Sequence, residues 1–205
     1  MTVLYLYPIW LRLWHWVNAL IFVTLLLTGV SMHFSLHWLI PFDVAVPIHN
    51  TAGILLTLSW VVFVAGNLLG ENSKHYRINL RTLPRDLIAQ TRYYLYGIFV
   101  GAPHPFHVSS EQKLNALQTL SYVGVMYGLM PVLILSGWSF LFSPSLPDTL
   151  FGIGTIWIIA MVHLVVAWML ALFLIVHMYI ITTGEKPTTN LKAMVTGWHK
   201  EETSG

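Results

Sequence analysis

The chain has 205 residues, of which 56% are hydrophobic and only 9% are charged. A composition this apolar excludes a soluble domain and favours an integral membrane protein. The sequence contains no cysteine, which excludes disulfides, covalently attached haem and iron–sulfur clusters held by thiolates. Any metal cofactor must therefore be held by histidine or by weaker ligands.

Four windows contain no Asp, Glu, Lys or Arg, at residues 13–42, 44–70, 114–147 and 149–184. Each window is longer than the roughly 20 residues that an apolar helix needs to cross a bilayer. No basic region precedes a short apolar core at the N-terminus, so we expect no removable signal peptide. We predict an all-α fold, a single four-helix membrane bundle over residues 1–205, with spans at about 13–34, 46–69, 115–142 and 153–183.

The basic residues lie on one side of this topology. All ten fall before the first span, between the second and third spans, or after the fourth, whereas the other two loops carry only Asp43 and Asp148. Because positive charge is retained on the cytoplasmic side, we predict that both termini, the segment 71–113 and the tail 185–205 are cytoplasmic.

The segment 71–113 is the most polar stretch, with nine of the charged residues. Between Leu83 and Ile98, apolar residues recur near helical spacing, and Arg85 and Arg92 occupy polar positions. This pattern predicts an amphipathic helix that lies on the cytoplasmic membrane surface in contact with lipid.

The third span contains Gly128 and Pro131, which together predict a local kink. Its outer end, Leu135-Ser-Gly-Trp138, is similar to Leu27-Thr-Gly-Val30 at the outer end of the first span. Four residues are too few to establish an internal repeat.

Two histidines, His163 and His177, lie fourteen residues apart in the fourth span. On an α-helix they share one face to within roughly 40° and are separated by about 21 Å along the axis. The topology puts His49 at about the depth of His163, and His15 at about the depth of His177. An ionisable side chain costs about 2.5–3.5 kcal/mol inside a bilayer, so intramembrane histidines indicate function.

The two depths predict two bis-histidine sites. Neutral imidazole is a ligand of haem iron, whereas zinc usually recruits four ligands from one cluster, with Cys or carboxylate among them. We therefore predict two b-type haems. For any one histidine taken alone, a hydrogen bond to a lipid headgroup or a neighbouring helix is an alternative. Gly29, Gly53 and Gly137 would make room for the outer haem, or they serve ordinary close helix packing.

Five motifs together resemble the cytochrome b subunits of formate dehydrogenase, nickel–iron hydrogenase and thiosulfate reductase complexes. The resemblance extends over almost the whole chain. The motifs are Arg12-Leu-Trp-His15-Trp16, His49-Asn-Thr-Ala-Gly53, Lys113-Leu-Asn115-Ala-Leu-Gln118, the His163/His177 spacing and Leu191-Lys-Ala-Met-Val-Thr-Gly197. The resemblance implies that His49 and His163 ligate the iron of a periplasmic-side haem, and that His15 and His177 ligate the iron of a cytoplasmic-side haem, in a bacterial inner membrane.

The resemblance also implies a quinone, either menaquinone or ubiquinone, near the cytoplasmic-side haem. Its candidate contacts are Lys113, Asn115 and Gln118, next to His177. A quinone carbonyl that takes up electrons and protons needs hydrogen-bond donors and a route to water. The alternative is that these three residues cap the third span and anchor it to headgroups.

Five other positions have less certain roles. Arg12 could pair with a haem propionate or be an ordinary positive-inside residue. His33 and His37 lie at the outer surface, where contact with propionates or a partner competes with simple solvation. His104 and His107 form an H-x-x-H pair without acidic or thiol support, a weak metal motif.

The function expected from these features is electron transfer across the membrane through two haems. We expect a periplasmic iron–sulfur subunit joined to a catalytic subunit, with this chain as the quinone-reacting subunit, no catalytic residue of its own and no nucleic-acid partner. One alternative is a self-sufficient di-haem cytochrome b that oxidises superoxide and reduces quinone. Another is a haem-free anchor or transporter.

Overall fold

The computed structural model describes residues 2–76, 78–106, 109, 112–184 and 186–201. Its helices are α1 (Ile9–His33), α2 (Phe42–Leu69), α3 (Leu83–Leu95), α4 (Ala116–Val123), α5 (Met130–Leu141), α6 (Thr155–Ile181) and α7 (Thr189–Thr196). Its strands are β1 (Thr2–Tyr5), β2 (Thr149–Leu150), β3 (Ile153–Gly154) and β4 (Trp198–Glu201). A π-helical turn, Gly124–Leu129, joins α4 to α5.

Within the described residues, four helical segments are long and apolar enough to cross a membrane, which confirms the predicted number of spans: Ile9–His33, Phe42–Leu69, Ala116–Leu141 and Thr155–Ile181. Large apolar side chains on them remain exposed, such as Leu20 at 70% and Ile175 at 67%, as expected where lipid replaces water. The second helix begins at Phe42 rather than near 46, because the Pro41 carbonyl accepts hydrogen bonds from the amides of the first turn.

The π-helical turn lies where Gly128 and Pro131 predicted an irregularity in the third span. Proline has no N–H to donate to the carbonyl four residues earlier, so a regular helix cannot pass through this point with all its bonds. The indole of Trp60 donates to the Met126 carbonyl at 2.7 Å. A side chain from α2 thus supplies a hydrogen bond at the turn.

The chain divides into two compact units. The cavity unit comprises residues 14–64 and 125–173, and the terminal unit comprises residues 1–13, 65–124 and 174–205. In the cavity unit, Leu56, Phe63 and Leu170 are almost completely buried. Indole groups link its helices: Trp14 donates to the Ser59 carbonyl at 2.8 Å, and Trp138 donates to the Thr57 hydroxyl at 3.1 Å.

In the terminal unit, the two ends of the chain form an antiparallel ribbon, β1 with β4. Tyr5 lies opposite Trp198, with ring centroids 5.0 Å apart, and the amides of Leu6 and Tyr7 both donate to the Gly197 carbonyl. The sequence predicted only helices. Neither this ribbon nor the β2–β3 hairpin of the cavity unit was expected, since strands of two to four residues are too short to show a period-two pattern.

Helix α3 lies within the stretch predicted to be helical between Leu83 and Ile98. It buries Gln90 and Tyr94 against the rest of the terminal unit, whereas Ile88 and Leu95 are 69% and 75% exposed. Exposed apolar side chains on a charged helix are compatible with contact to lipid. The location of α3 on a membrane surface stays a prediction.

Gly197, in the terminal unit, should not tolerate substitution by a residue with a side chain. Its φ is +87°, and an added Cβ would lie 2.7 Å from the Tyr5 ring and 2.8 Å from the Tyr7 carbonyl oxygen. We predict that Gly197→Ala destabilises the protein by about 1–3 kcal/mol through backbone strain, with a further loss from the clash. Gly152→Ala is the matched control, because Gly152 has a φ of +77° and no described atom within 4 Å. Thermal unfolding in detergent should rank Gly197→Ala clearly below Gly152→Ala, and equal midpoints would contradict the assignment.

Candidate functional site

The cavity unit encloses a largely apolar cavity of about 700 Å³. Its walls come from α1, α2, α5 and α6, and they include the rings of His49 and His163. Most of the other lining residues are Leu, Phe, Trp, Ala and Gly. Cavities that bind small molecules commonly have volumes of about 300–1,000 Å³ and a few polar groups in an apolar wall. This cavity can therefore hold a large, flat, mainly apolar ligand.

The structure brings His49 of α2 and His163 of α6 together. Their ring centroids are 6.3 Å apart, with the ring planes inclined by 67°. Two imidazoles on opposite sides of one metal ion, each with a bond of about 2.0–2.1 Å and a ring radius of about 1.1 Å, would have centroids about 6.3 Å apart. The observed separation thus fits a single metal ion between the two rings.

A hydroxyl group lies at the Nδ1 atom of each ring. The distance from Thr28 Oγ1 to His49 Nδ1 is 2.8 Å, and that from Ser136 Oγ to His163 Nδ1 is 2.9 Å. Metal-ligating histidines usually use one ring nitrogen for the metal and hold the other in a hydrogen bond. In both rings, Nε2 is therefore the nitrogen available to a ligand.

Glycines lie beside both rings. A Cβ on Gly29 would be 3.5 Å from His49 Cε1, and a Cβ on Gly137 would be 3.6 Å from His163 Cε1. Gly53 also lines the cavity, and a Cβ added there would have no described atom within 4 Å. Two neutral imidazoles, an apolar cavity and backbone without side chains suit a porphyrin held by axial histidines. The residues present therefore fit a b-type haem.

Each of the other two predicted ligands contacts an aromatic ring. His15, in α1, has its ring edge-on to Trp16 at 5.2 Å between centroids. His177, in α6, contacts the ring of Tyr122 at 6.3 Å. Their pairing stays a prediction, as does ligation of haem iron by any of the four histidines. Among the described residues, no cluster of three or more His, Asp or Glu could form a different metal centre.

Asn115 and Gln118 form a reciprocal cap at the start of α4. The Gln118 amide donates to Asn115 Oδ1 at 2.9 Å, and the Asn115 amide donates to Gln118 Oε1 at 3.1 Å. The structure therefore contains the capping interaction that the sequence offered as an alternative to quinone binding. Asn115 also donates a hydrogen bond from Nδ2 to the Tyr94 hydroxyl, at 3.0 Å. The quinone role of these residues stays a prediction.

Lys113 is partly buried in the terminal unit. Its Nζ donates to Asn72 Oδ1 at 3.1 Å and lies 5.8 Å from the centroid of the Tyr7 ring. Burial, and secondarily the positive charge of Lys74, lowers the pKa of Lys113 to about 8. A lysine with this pKa can give up a proton near neutral pH, which an ordinary surface lysine cannot.

Sequence reasoning missed a buried polar cluster around Tyr94. Tyr179 donates from its hydroxyl to the Tyr94 carbonyl at 2.9 Å, and burial raises the pKa of the Tyr94 hydroxyl. Gln90, one turn earlier on α3, is only 3% exposed and lies next to the Tyr94 hydroxyl as a hydrogen-bond partner. Gln90 and Tyr94 share one face of α3 at i, i+4 spacing. The prediction of an amphipathic helix considered only the apolar and charged positions, so it did not identify this polar pair.

The remaining candidates have mainly local contacts. Arg12 Nη1 donates to the Val195 carbonyl, and its pairing with a propionate stays a prediction. His33 and His37 are exposed, and His33 also lines the cavity. His104 Nδ1 lies 2.6 Å from the Phe106 carbonyl oxygen and 3.1 Å from the Phe106 amide nitrogen. His107, the other member of the H-x-x-H pair, lies outside the described residues.

Comparison with known proteins defines the class. Residues 6–197 match the family described as prokaryotic cytochrome b561, and the chain belongs to this family. It is also 40% identical over 197 residues to an Escherichia coli (strain K12) protein with the provisional name cytochrome YdhU, an alignment that covers 96% of this chain and 75% of that protein. No solved structure matches the chain.

Family membership agrees with the site. The chain is a prokaryotic membrane cytochrome of the b type, and members of the family transfer electrons through b haems. The bound haem supplies the redox chemistry, and the protein supplies ligands, depth and an apolar environment.

Proposed function

We propose that this chain is the two-haem membrane subunit of a respiratory oxidoreductase, of the formate dehydrogenase, nickel–iron hydrogenase or thiosulfate reductase type. In this proposal it carries electrons between a periplasmic iron–sulfur and catalytic partner and a quinone at the cytoplasmic face of the bacterial inner membrane. The main support is the His49–His163 pair, with ring centroids 6.3 Å apart in an apolar cavity.

The second haem is proposed from helix geometry. Fourteen residues on one helix separate His163 from His177 by about 21 Å on nearly the same face. Helix α6 is unbroken from Thr155 to Ile181, so it can offer ligands at two depths. His15 of α1 is the proposed partner of His177, and both termini are proposed to be cytoplasmic.

A quinone near His177 would meet hydrogen-bond donors in the terminal unit. Two-electron reduction of a quinone also takes up two protons, so its carbonyl oxygens need donors as negative charge develops. Lys113, Asn115 and Gln118 are the proposed contacts. Gln90 and Asn115, two buried amides beside the Tyr94 hydroxyl, add further donors to the same cluster. Lys113 would supply one proton from Nζ.

The partner follows from what the chain lacks. It contains no cysteine, so it cannot hold an iron–sulfur cluster through thiolates. Ser143–Ser145 and the β2–β3 hairpin leave little room between α5 and α6 for a further catalytic domain. In this proposal, electrons enter or leave on the side of His163 through another polypeptide that holds the iron–sulfur cluster.

Purification of the tagged chain from its native membrane tests the partner. We expect an iron–sulfur polypeptide and a larger catalytic polypeptide to copurify in a mild detergent and to reduce the haems when the substrate of the catalytic subunit is added. A haem-containing chain that purifies alone, and whose haems are reduced by superoxide, would contradict the subunit role and favour the self-sufficient cytochrome.

Single histidine substitutions test the ligand pairs. We expect His49→Ala and His163→Ala each to remove the same one of two haems, and His15→Ala and His177→Ala each to remove the other, because loss of one axial ligand destroys a bis-histidine site. Redox titration followed by optical spectroscopy would identify the haem that remains. His37→Ala, an exposed position, is the control and should retain both haems. Loss of different haems from His49→Ala and His163→Ala would refute the pairing.

The pKa of Lys113 gives a test of the proton donor. If protonated Lys113 assists quinone reduction, the rate should fall as pH rises through about 8. Lys113→Met should lose this pH dependence and be slower at pH 7 by roughly 10²-fold, the lower end for a general acid. Reoxidation of the reduced haems by a soluble quinone in stopped flow measures both effects.

Two further lysines sharpen this test. Lys74 contributes to the lowered pKa of Lys113, so Lys74→Met should move the pH dependence to higher pH. Lys192 is exposed on α7, and Lys192→Met should change nothing. An unaltered pH profile in Lys113→Met would exclude Lys113 as the donor without affecting the haem assignments.

A further inference from the structure

Two dipeptides in the cavity unit make the same contacts with two different histidines. We infer that Thr28-Gly29 and Ser136-Gly137 are matched positioning elements that fix the tautomer and orientation of His49 and His163, and thereby set the redox potential of the haem in the cavity. This inference rests on the proposed ligation of that haem by the two histidines. It assigns a role to four residues outside the ligand set.

The hydroxyl hydrogens determine the direction of the two hydrogen bonds. Thr28 Oγ1 donates to the Thr24 carbonyl at 2.7 Å, and Ser136 Oγ donates to the Leu133 carbonyl at 2.9 Å. A hydroxyl has a single hydrogen, so neither can also donate to a ring nitrogen. With both hydroxyl hydrogens on these carbonyls, each hydroxyl oxygen accepts a hydrogen from Nδ1, at 2.8 Å for His49 and 2.9 Å for His163, and this is the arrangement that we infer.

The tautomer follows from these bonds. A neutral imidazole carries one hydrogen, and if that hydrogen is on Nδ1, then Nε2 has the free lone pair. Both rings are therefore held in the form that binds a metal through Nε2.

The glycine of each dipeptide allows the ring to lie against the helix. The Cβ position at Gly29 is 3.5 Å from His49 Cε1, and that at Gly137 is 3.6 Å from His163 Cε1. A methyl group at either position would already be in van der Waals contact with the ring. The hydroxyl and the adjacent glycine thus fix two neighbouring ring atoms, Nδ1 and Cε1.

This arrangement explains the similarity between Leu27-Thr-Gly-Val30 and Leu135-Ser-Gly-Trp138. The two segments lie in different helices, α1 and α5, and contact histidines in two others, α2 and α6. The hydroxyl–Nδ1 contact and the glycine–Cε1 contact occur together at both histidines, so chance packing is a poor explanation for them. Ser and Thr are interchangeable here because only the hydroxyl is used.

A hydrogen bond from Nδ1–H makes Nε2 a better electron donor to a metal. Stronger donation stabilises ferric over ferrous iron, and so it lowers the reduction potential. Loss of either hydroxyl should therefore raise the potential of the haem in the cavity. The other haem has neither histidine as a ligand, so its potential should not change.

Hydroxyl removal tests the inference in the full-length chain purified with its haems. In Thr28→Val and Ser136→Ala, we expect the midpoint potential of one haem to rise, its low-spin ferric electron paramagnetic resonance signal to shift, and its haem affinity to fall by roughly 10–100-fold. Thr28→Ser and Ser136→Thr keep a hydroxyl and should restore all three properties.

Thr24→Val and Ser139→Ala are the matched controls. Both hydroxyls lie on the same helices and donate only to carbonyls of their own helix, at 2.9 Å to Leu20 and 2.8 Å to Leu135. The inference would be overturned if Thr28→Val and Ser136→Ala had the same haem midpoint potentials and electron paramagnetic resonance spectra as these controls. If Thr28→Val loses one haem and Thr28→Ser keeps it, the inference is supported, even though the potential of the lost haem cannot be measured.

The outcome separates this inference from the proposed function. If His49→Ala and His163→Ala each remove one haem while both hydroxyl variants behave as the controls do, ligation stands and the positioning role is wrong. If His49→Ala and His163→Ala retain that haem, the ligand assignment is wrong and the positioning role falls with it.

Discussion

A ring nitrogen buried in apolar surroundings must have a partner, and the architecture of the cavity unit depends on this constraint. His49 and His163 bring four such nitrogens to a cavity lined mainly by apolar side chains. Hydroxyl groups of α1 and α5 satisfy two of them. In the proposed function the other two bind haem iron, and helix packing, glycine placement and cofactor chemistry then meet one requirement together: each imidazole is bonded through both of its nitrogens.

The sequence was most informative where physical constraints are strongest. The absence of charge over some 20 residues predicts a span directly, and all four spans were found. The cost of an imidazole in lipid identified His49 and His163, which the structure brings together. Thr28 and Ser136 were overlooked because such hydroxyls usually bond their own helix, as these also do. Only the three-dimensional structure reveals the second bond.

The terminal unit shows why its site was harder to predict. Asn115 and Gln118 are suitable both for capping a helix and for contacting a quinone, and spacing alone cannot separate these uses. In the structure they cap α4, yet Asn115 also joins the polar cluster around Tyr94. The ribbon of β1 and β4 was missed for another reason: its strands are distant in sequence and too short for periodicity to appear.

That ribbon also imposes an order on biogenesis. Strand β1 precedes the first span, but its partner β4 begins at Trp198, after the last span has ended at Ile181. The two can pair only when an even number of spans has brought both strands to the same side of the bilayer. A chain in which one of the four helices failed to cross would leave Tyr5 and Trp198 on opposite sides of the bilayer, and its ribbon could not close.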